Sequence, residues 1–393
     1  MSGSLNNIYN NVSFALNLHT KEMAILQEQT ATGSRINRIS DDPTSAYRIL
    51  GLNTNERSLE NYINNLSDTM STLELSSTVI QEISEGFTQT LTLITQVTSG
   101  LYDDASRLRT AAGINDILEQ AVSLANTQHM DQYLFGGTNT GNAPYTVTRT
   151  NGQITKVTYT GSFEDRNIEV APGVESSAFQ IGDDIFRSNE RSTPVFIGPT
   201  GTAAGTGTSN CRGSVWLTVT GTAGNYDLSI DGGLTTVNTD GTHTNLAVTN
   251  SITGEVLYVN TTGITTTGTD LVSIPGTYDI FTTLMTIRDV LENANGLSTN
   301  QLVSTLQDLP SSVEEISKLL VKAEVSVGSK IGFLDDLQQS LKDVEFNNQD
   351  ETTRLQEADI AQIAIDLSRR EVLYQMSLSV VGKLMSMSLL DFI

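Results

Sequence analysis

The chain has 393 residues, with 22 Lys and Arg against 45 Asp and Glu, a formal net charge of −23. So acidic a surface repels phosphate backbones and anionic bilayers, which argues against nucleic acid or a membrane as partner. Charged residues make up only 17% and aromatics 6%, so the surface is mostly neutral and polar, and a large aromatic-lined pocket is not expected.

The first apolar pattern is helical. Leu5, Ile8, Val12, Leu16, His19, Met23, Leu26, Thr30 and Gly33 follow at steps of three or four, the mark of one helix with a coiled-coil-like seam. Phe14, Leu18 and Ile25 lie off that seam, and a helix apolar on two faces needs two partners. Gly33 suits a C-terminal cap. Asp41, Asp42 and Pro43 suit a new start, because Asp caps an N-terminus and Pro fits the first helical position.

A second helix is expected from Thr44 to about Ser99, with Leu59, Tyr62, Leu66, Met70, Leu73, Ile80, Ile83, Phe87, Leu91 and Ile94 as its seam. About 55 residues give a rod of roughly 80 Å. A third is expected over about 105–134, ended by Gly136 and Gly137. The zone 140–275 reads as β. Runs at 145–150 and 153–159 flank Asn151-Gly152, a strong hairpin signal. Further strands are expected at 167–170, 215–220, 226–230, 246–249 and 256–259, with 194–213 as a Gly/Thr-rich loop or linker. Helices resume over 277–295 and 300–346, the latter bent at Pro310. A last helix is expected over 353–390, with Ile360, Ile363, Leu367, Arg370, Tyr374, Leu378, Val381, Met385 and Leu389 as its seam.

The fold class that follows is mainly α plus a β domain. A long discontinuous helical bundle or coiled-coil rod is formed by both chain ends, with an inserted all-β outer domain. Residues 1–42 and 353–393 form terminal assembly helices, the first disordered in a lone copy. Residues 43–139 with 276–352 form the rod, and 140–275 the outer part, divided at 187/188. The assembly interface is expected at Leu5, Ile8, Val12, Leu16, Met23, Leu26, Ile360, Ile363, Leu367, Tyr374, Leu378, Val381, Met385 and Leu389. These ends carry more apolar surface than two helices can hide from one another, so neighbouring copies are expected to cover it.

Chemistry is thin. His19, His129 and His243 stand in different zones, and Cys211 is the single cysteine, so neither a disulfide nor a zinc site is expected. The acid pairs at 103–104, 183–184 and 335–336 are sequence neighbours whose side chains diverge. The Gly-rich run at 198–207 lacks the Lys-Ser/Thr of a phosphate-binding loop. No cofactor, metal or catalytic residue is expected. No run approaches 18 apolar residues, and no apolar stretch of the secretory type follows the first residues.

Residues 33–43 (GSRINRISDDP), following an amphipathic helix, resemble the signature of the flagellin superfamily through Arg35, Ile36, Asp41, Asp42 and Pro43. The run 125–138, with Tyr133, Leu134, Phe135, Gly136 and Gly137, is similar to a segment of the hook–filament junction members of that superfamily. The ending, an EAD opening at 357–359 and SLLDFI at 388–393, also resembles theirs. The resemblance covers about 1–187 and 276–393, and 188–275 looks like an added β unit. It implies a non-catalytic subunit, exported through the flagellar type III apparatus without a cleaved signal. An export chaperone would hold its C-terminal helix. Copies would then assemble as an extracellular ring beside other hook-associated proteins and flagellin. A flagellin filament subunit is the alternative, and a secreted adhesin a more distant one.

Overall fold

The computed structural model describes residues 2–99 and 103–390, and the side chains of all these except residues 2–6, 8, 9, 99 and 384–390. Two compact units emerge. One joins residues 1–64 to 337–393, and the other is continuous over 65–336.

In the first unit, α1 (Ser2–Thr32) lies along α7 (Ile360–Leu390). The start of α2 (Pro43–Ser99) and the end of α6 (Thr299–Gln356) complete it. Ile49, Leu59 and Leu341 are buried there. Arg48 pairs with Glu351, and Gln349 Nε2 donates to Glu56 Oε1 at 2.8 Å. The α6 helix runs through Pro310 and on to Gln356, further than the expected end near 346. Pro removes one N–H from the helix ladder. The Ser311 and Ser312 hydroxyls donate to the Asp308 and Leu309 carbonyls at 2.6 and 2.8 Å, supplying side-chain donors beside the gap. At the start of α6, Gln301 Oε1 accepts from the Ser298 backbone N–H and hydroxyl, one half of a capping box. Only Glu357 to Asp359 separate α6 from α7, so α7 begins seven residues later than the expected position 353.

The second unit holds helical and β parts. In α2, Leu66, Leu73, Ile80, Ile83, Phe87 and Ile94 are buried at helical spacing, in agreement with the sequence pattern. The α3 helix (Asp104–Ala125) packs on α5 (Ile280–Glu292). Its expected extension to Leu134 fails for a local reason. The Asn126 amide accepts from Tyr145 N at 3.0 Å and donates to Tyr145 O at 2.9 Å, which ties the chain to the next hairpin. A two-residue turn follows, with Met130 and Asp131 both at positive φ, between β1 (Gln128–His129) and β2 (Gln132–Tyr133). His129 therefore sits on a strand, not on a helix surface.

The Asn151-Gly152 hairpin forms as expected, β3 (Tyr145–Thr150) against β4 (Gln153–Tyr159), with both turn residues at positive φ. A second hairpin joins β5 (Asn167–Ala171) to β6 (Val174–Ser177), and the short α4 (Gly182–Phe186) follows. The segment expected as a loop at 194–213 contributes two strands, β7 (Val195–Ile197) and β8 (Ala203–Ala204). The remaining strands are β9 (Gly213–Thr222), β10 (Asn225–Ser229), β11 (Val237–Thr239), β12 (Leu246–Thr249), β13 (Val256–Asn260) and β14 (Gly268–Ile274). They form an antiparallel sheet in the order β11-β10-β9-β14-β7 and another in the order β12-β13-β8. Leu217, Val219, Leu228, Val248, Leu257, Val259 and Val272, from strands of both, share one apolar cluster with Cys211. The buried Asp270 carboxylate accepts from Thr200 N and from the hydroxyls of Thr200 and Thr202, so it is satisfied inside the fold.

Candidate assembly interface

The terminal helices are joined at their root by residues 33–43. Gly33 has φ +69°, a left-handed conformation that ends α1, and its N–H donates back to Gln29 O at 2.9 Å. Ser34 stands opposite Glu357 in an isolated antiparallel bridge. Arg35 N donates to Gln356 O at 2.7 Å, and Ala358 N to Gly33 O at 3.1 Å. The Arg35 guanidinium reaches Leu355 O at 3.2 Å and lies 3.7 Å from the Asp42 carboxylate. Ile36 is half-buried, and its carbonyl accepts from Ser34 Oγ at 2.9 Å. Asp41 Oδ2 accepts from Asn37 N and Arg38 N at 3.1 and 2.8 Å. Asp42 caps α2. The Ser45 hydroxyl, at 2.7 Å, and the Ser45 N–H, at 3.1 Å, hold its carboxyl below the usual range. Pro43 is the first helical residue. The motif thus works as a clasp that fixes where α1 stops, where α2 starts and where the α6–α7 elbow sits.

Beyond the clasp the terminal pair is open. On α1, Val12, Leu16, Met23 and Leu26 are half-buried, and no described side chain of this helix is fully buried. On α7, Ile363 is buried, and Leu367, Tyr374 and Val381 are half-buried. Arg370 pairs with Glu22, and its guanidinium lies 3.4 Å from His19 Nδ1. Ile360 and Leu378, placed on the seam by the sequence, are 47% and 46% exposed. A single partner helix covers a stripe narrower than the apolar arc, so these positions stay outside it. Leu5, Ile8, Met385 and Leu389 fall outside the residues whose side chains are described, as does the SLLDFI ending.

Phe14, Leu18 and Ile25, off the seam, are exposed, Phe14 by 71%. On α7, Leu373 and Met376 are exposed as well, along with Ile365, Val372 and Val380, which the seam reading passed over. Ile365, Val372, Met376 and Val380 follow at steps of seven, four and four, which was the signal for a second apolar face. An open groove of about 530 Å³ runs between the helices, lined among others by Ile25, Leu26, Arg369 and Leu373.

The second motif serves the other unit's core. Leu134 and Phe135 are fully buried. Phe135 is followed by two glycines that thread between loops. Gly137 N donates to Gln180 O at 3.1 Å, and Ser162 N to Gly136 O at 2.9 Å. Gly137 has φ +61°, and a Cβ there would come within 2.6 Å of Ser162 O and 2.8 Å of Glu164 O. Phe135 packs edge-on against Phe186 with ring centroids 4.9 Å apart, and the Tyr133 backbone closes the β1–β2 turn. This motif is a keystone of the fold, and it lies in a different unit from the clasp.

Among the described residues no group of three or more His, Cys, Asp or Glu is placed to hold a metal ion. Cys211 is buried, and burial pushes its thiol up to about 12. No helix among the described residues is long and apolar enough to cross a membrane.

The two end helices thus pair with one another and leave an apolar face of the pair open. Residues 4–140 match the family described as the bacterial flagellin N-terminal helical region. The chain is 27% identical over 164 residues to flagellar hook-associated protein 3 of Escherichia coli (strain K12), a stretch of 41% of this chain and 49% of that protein. It therefore spans about half the length of that curated relative. The crystal structure of Xanthomonas campestris FlgL matches with a TM-score of 0.52 at 21% identity, covering 76% of this chain and 98% of that one. The flagellar junction protein FlgL from Legionella pneumophila matches with a TM-score of 0.52 at 15% identity, covering 79% and 100%. At these identities the structural likeness is one of fold. Nearly all of each solved chain is matched, while about a quarter of this chain lies outside the match.

Proposed function

We propose that this chain is a non-catalytic structural component of the bacterial flagellum, of the hook-associated protein 3 type, which joins hook to filament as a ring of copies. The observation that carries this reading is the open α1–α7 pair. Apolar side chains off the seam are exposed on both helices in the single copy, as are Ile360 and Leu378 on the α7 seam, and water-exposed apolar surface of this extent favours burial against like helices. The match to a hook-associated protein supports the junction role over the filament one.

In this reading residues 1–42 and 353–393 are the assembly helices, 43–139 with 276–352 build the wall, and 140–275 project from it. The β unit at 188–275 is an addition to the family plan. The chain reaches the cell exterior through the flagellar type III apparatus, a chaperone covers the C-terminal helix beforehand, and other hook-associated proteins and flagellin adjoin the ring.

Deletion of the gene is the test. Cells are expected to keep hooks but lose attached filaments, with filament subunits released into the medium. The intact chain should restore attachment. Leu378→Asp should not, because it buries an unpaired carboxylate wherever a neighbour covers α7. Intact filaments in the deletion strain, or full motility with Leu378→Asp, would refute the assignment.

A further inference from the structure

The second unit presents two helix faces that nothing within it covers. On α6, Val321, Val325 and Phe333 are 51%, 66% and 55% exposed. At about 100° per residue they fall with exposed Lys318 and Lys322 inside one arc of roughly 120°. Lys322 Nζ lies 3.8 Å from Glu190, but both side chains are largely in water, where such a pair contributes little. Lys330 is engaged elsewhere, donating to Ser177 O at 2.6 Å. Exposed Glu314, Asp335 and Asp336 bracket the stripe at its two ends, and half-buried Glu324 lies on the same helix.

The other face is on α2. No Lys or Arg occurs between Arg57 and Arg107. Asp68, Glu74, Glu82 and Glu85 are exposed, fall inside one arc of roughly 120°, and form no ion pair among the described residues. Like charges three residues apart, such as Glu82 and Glu85, weaken a helix by itself. The acidic stripe spans 17 residue steps, about 26 Å, and the α6 stripe from Lys318 to Phe333 spans 15, about 22 Å.

We propose that these faces meet between neighbouring copies, the acidic face of α2 on one copy covering the lysine-flanked apolar face of α6 on the next. The two are complementary in charge, alike in length and present in equal number because one chain carries both. A contact between two different patches of the same molecule propagates in one direction and closes into a ring when the rotation permits. This rests on the assembly role proposed above and assigns it a specific contact outside the terminal helices.

A charge-exchange experiment separates the two claims. In cells lacking the native gene, the intact chain restores attached filaments if the assembly role is right. Lys318→Glu with Lys322→Glu should then lower the fraction of cells with filaments at least about tenfold, since opposed like charges are strongly unfavourable in an interface. Glu74→Lys with Glu82→Lys should do the same. All four changes in one chain should bring the fraction back to within about twofold of the intact chain, a result that also excludes misfolding as the cause. Circular dichroism of each purified full-length variant checks helix content. Unchanged filament numbers in the lysine variant, or a fourfold variant that stays defective with normal helix content, overturns the contact while leaving the assembly role standing. The second outcome would assign the α6 face to a protein other than a copy of this chain.

Discussion

In the α1–α7 pair, Ile363 is the one fully buried side chain among those described. Between Val195 and Ile274 the two sheets enclose Leu217, Leu228, Val248, Leu257 and Val272 almost completely, with strands only two to ten residues long. The helical pair is longer, simpler in pattern and richer in apolar residues, yet the β region is the part that completes its own core. Burial depends on geometry more than on apolar content. Two sheets facing one another shield each strand's inner face, whereas two helices shield one stripe each and leave the remaining arc exposed.

Amide exchange on the soluble full chain should give the largest separation. Amides of α1 and α7 are expected to exchange at least about a thousandfold faster than those at the centre of β9 and β14, because little buried surface opposes their opening. Equal protection in the two regions would mean that the pair is already stable alone, and the need for neighbouring copies would go.

Next in size is the core of the β region. Leu217 is fully buried, and Leu217→Ala should lower stability by about 3 kcal/mol through lost burial and the cavity left behind. Trp216, the single tryptophan, adjoins it on β9, so the shift is read directly in urea unfolding followed by its fluorescence. Filament attachment should persist at growth temperatures where the variant remains folded. Loss of attachment without unfolding would tie the β region to assembly and weaken the contrast drawn here.

The smallest effect concerns Glu315, whose carboxylate accepts from Gly276 N at 2.9 and 3.1 Å. Burial raises its carboxyl above 4.5 despite that hydrogen bond. The folded state therefore holds this proton more tightly than the unfolded one. The resulting stabilisation is fully present below about 4.5 and is lost as pH rises through the folded value. Glu315→Gln should raise the unfolding temperature slightly at pH 7 and bring no gain at pH 4. A gain of equal size at both values would show that ionisation is not the cause.

Much of this was legible in the residues. Caps announce themselves locally, so Gly33 and the Asp42-Pro43 start follow from side-chain chemistry alone. Asn151-Gly152 fixes its hairpin because both turn residues take positive φ. The β14 strand was not legible. It is an interior strand of its sheet, yet its partner β9 begins more than fifty residues earlier, and no local signal encodes so distant a pairing. For α3 the apolar rhythm continued to Leu134, but Leu134 and Phe135 serve a core that forms only when the hairpins close over them. At the interface, period marked one apolar stripe fully and the second only in part, passing over Ile365, Val372 and Val380. How wide an arc a neighbour leaves open depends on where that neighbour sits.

The β9–β10 turn has a practical use. Ala223 and Gly224 connect the strands with exposed residues on both sides, far along the chain from either helix of the clasped pair. In the proposed assembly, a fluorescent or epitope label attached to α1 or α7 would compete with incoming subunits for the surface they need. Inserted in this turn, it should ride on the finished structure and allow junctions to be counted on living cells.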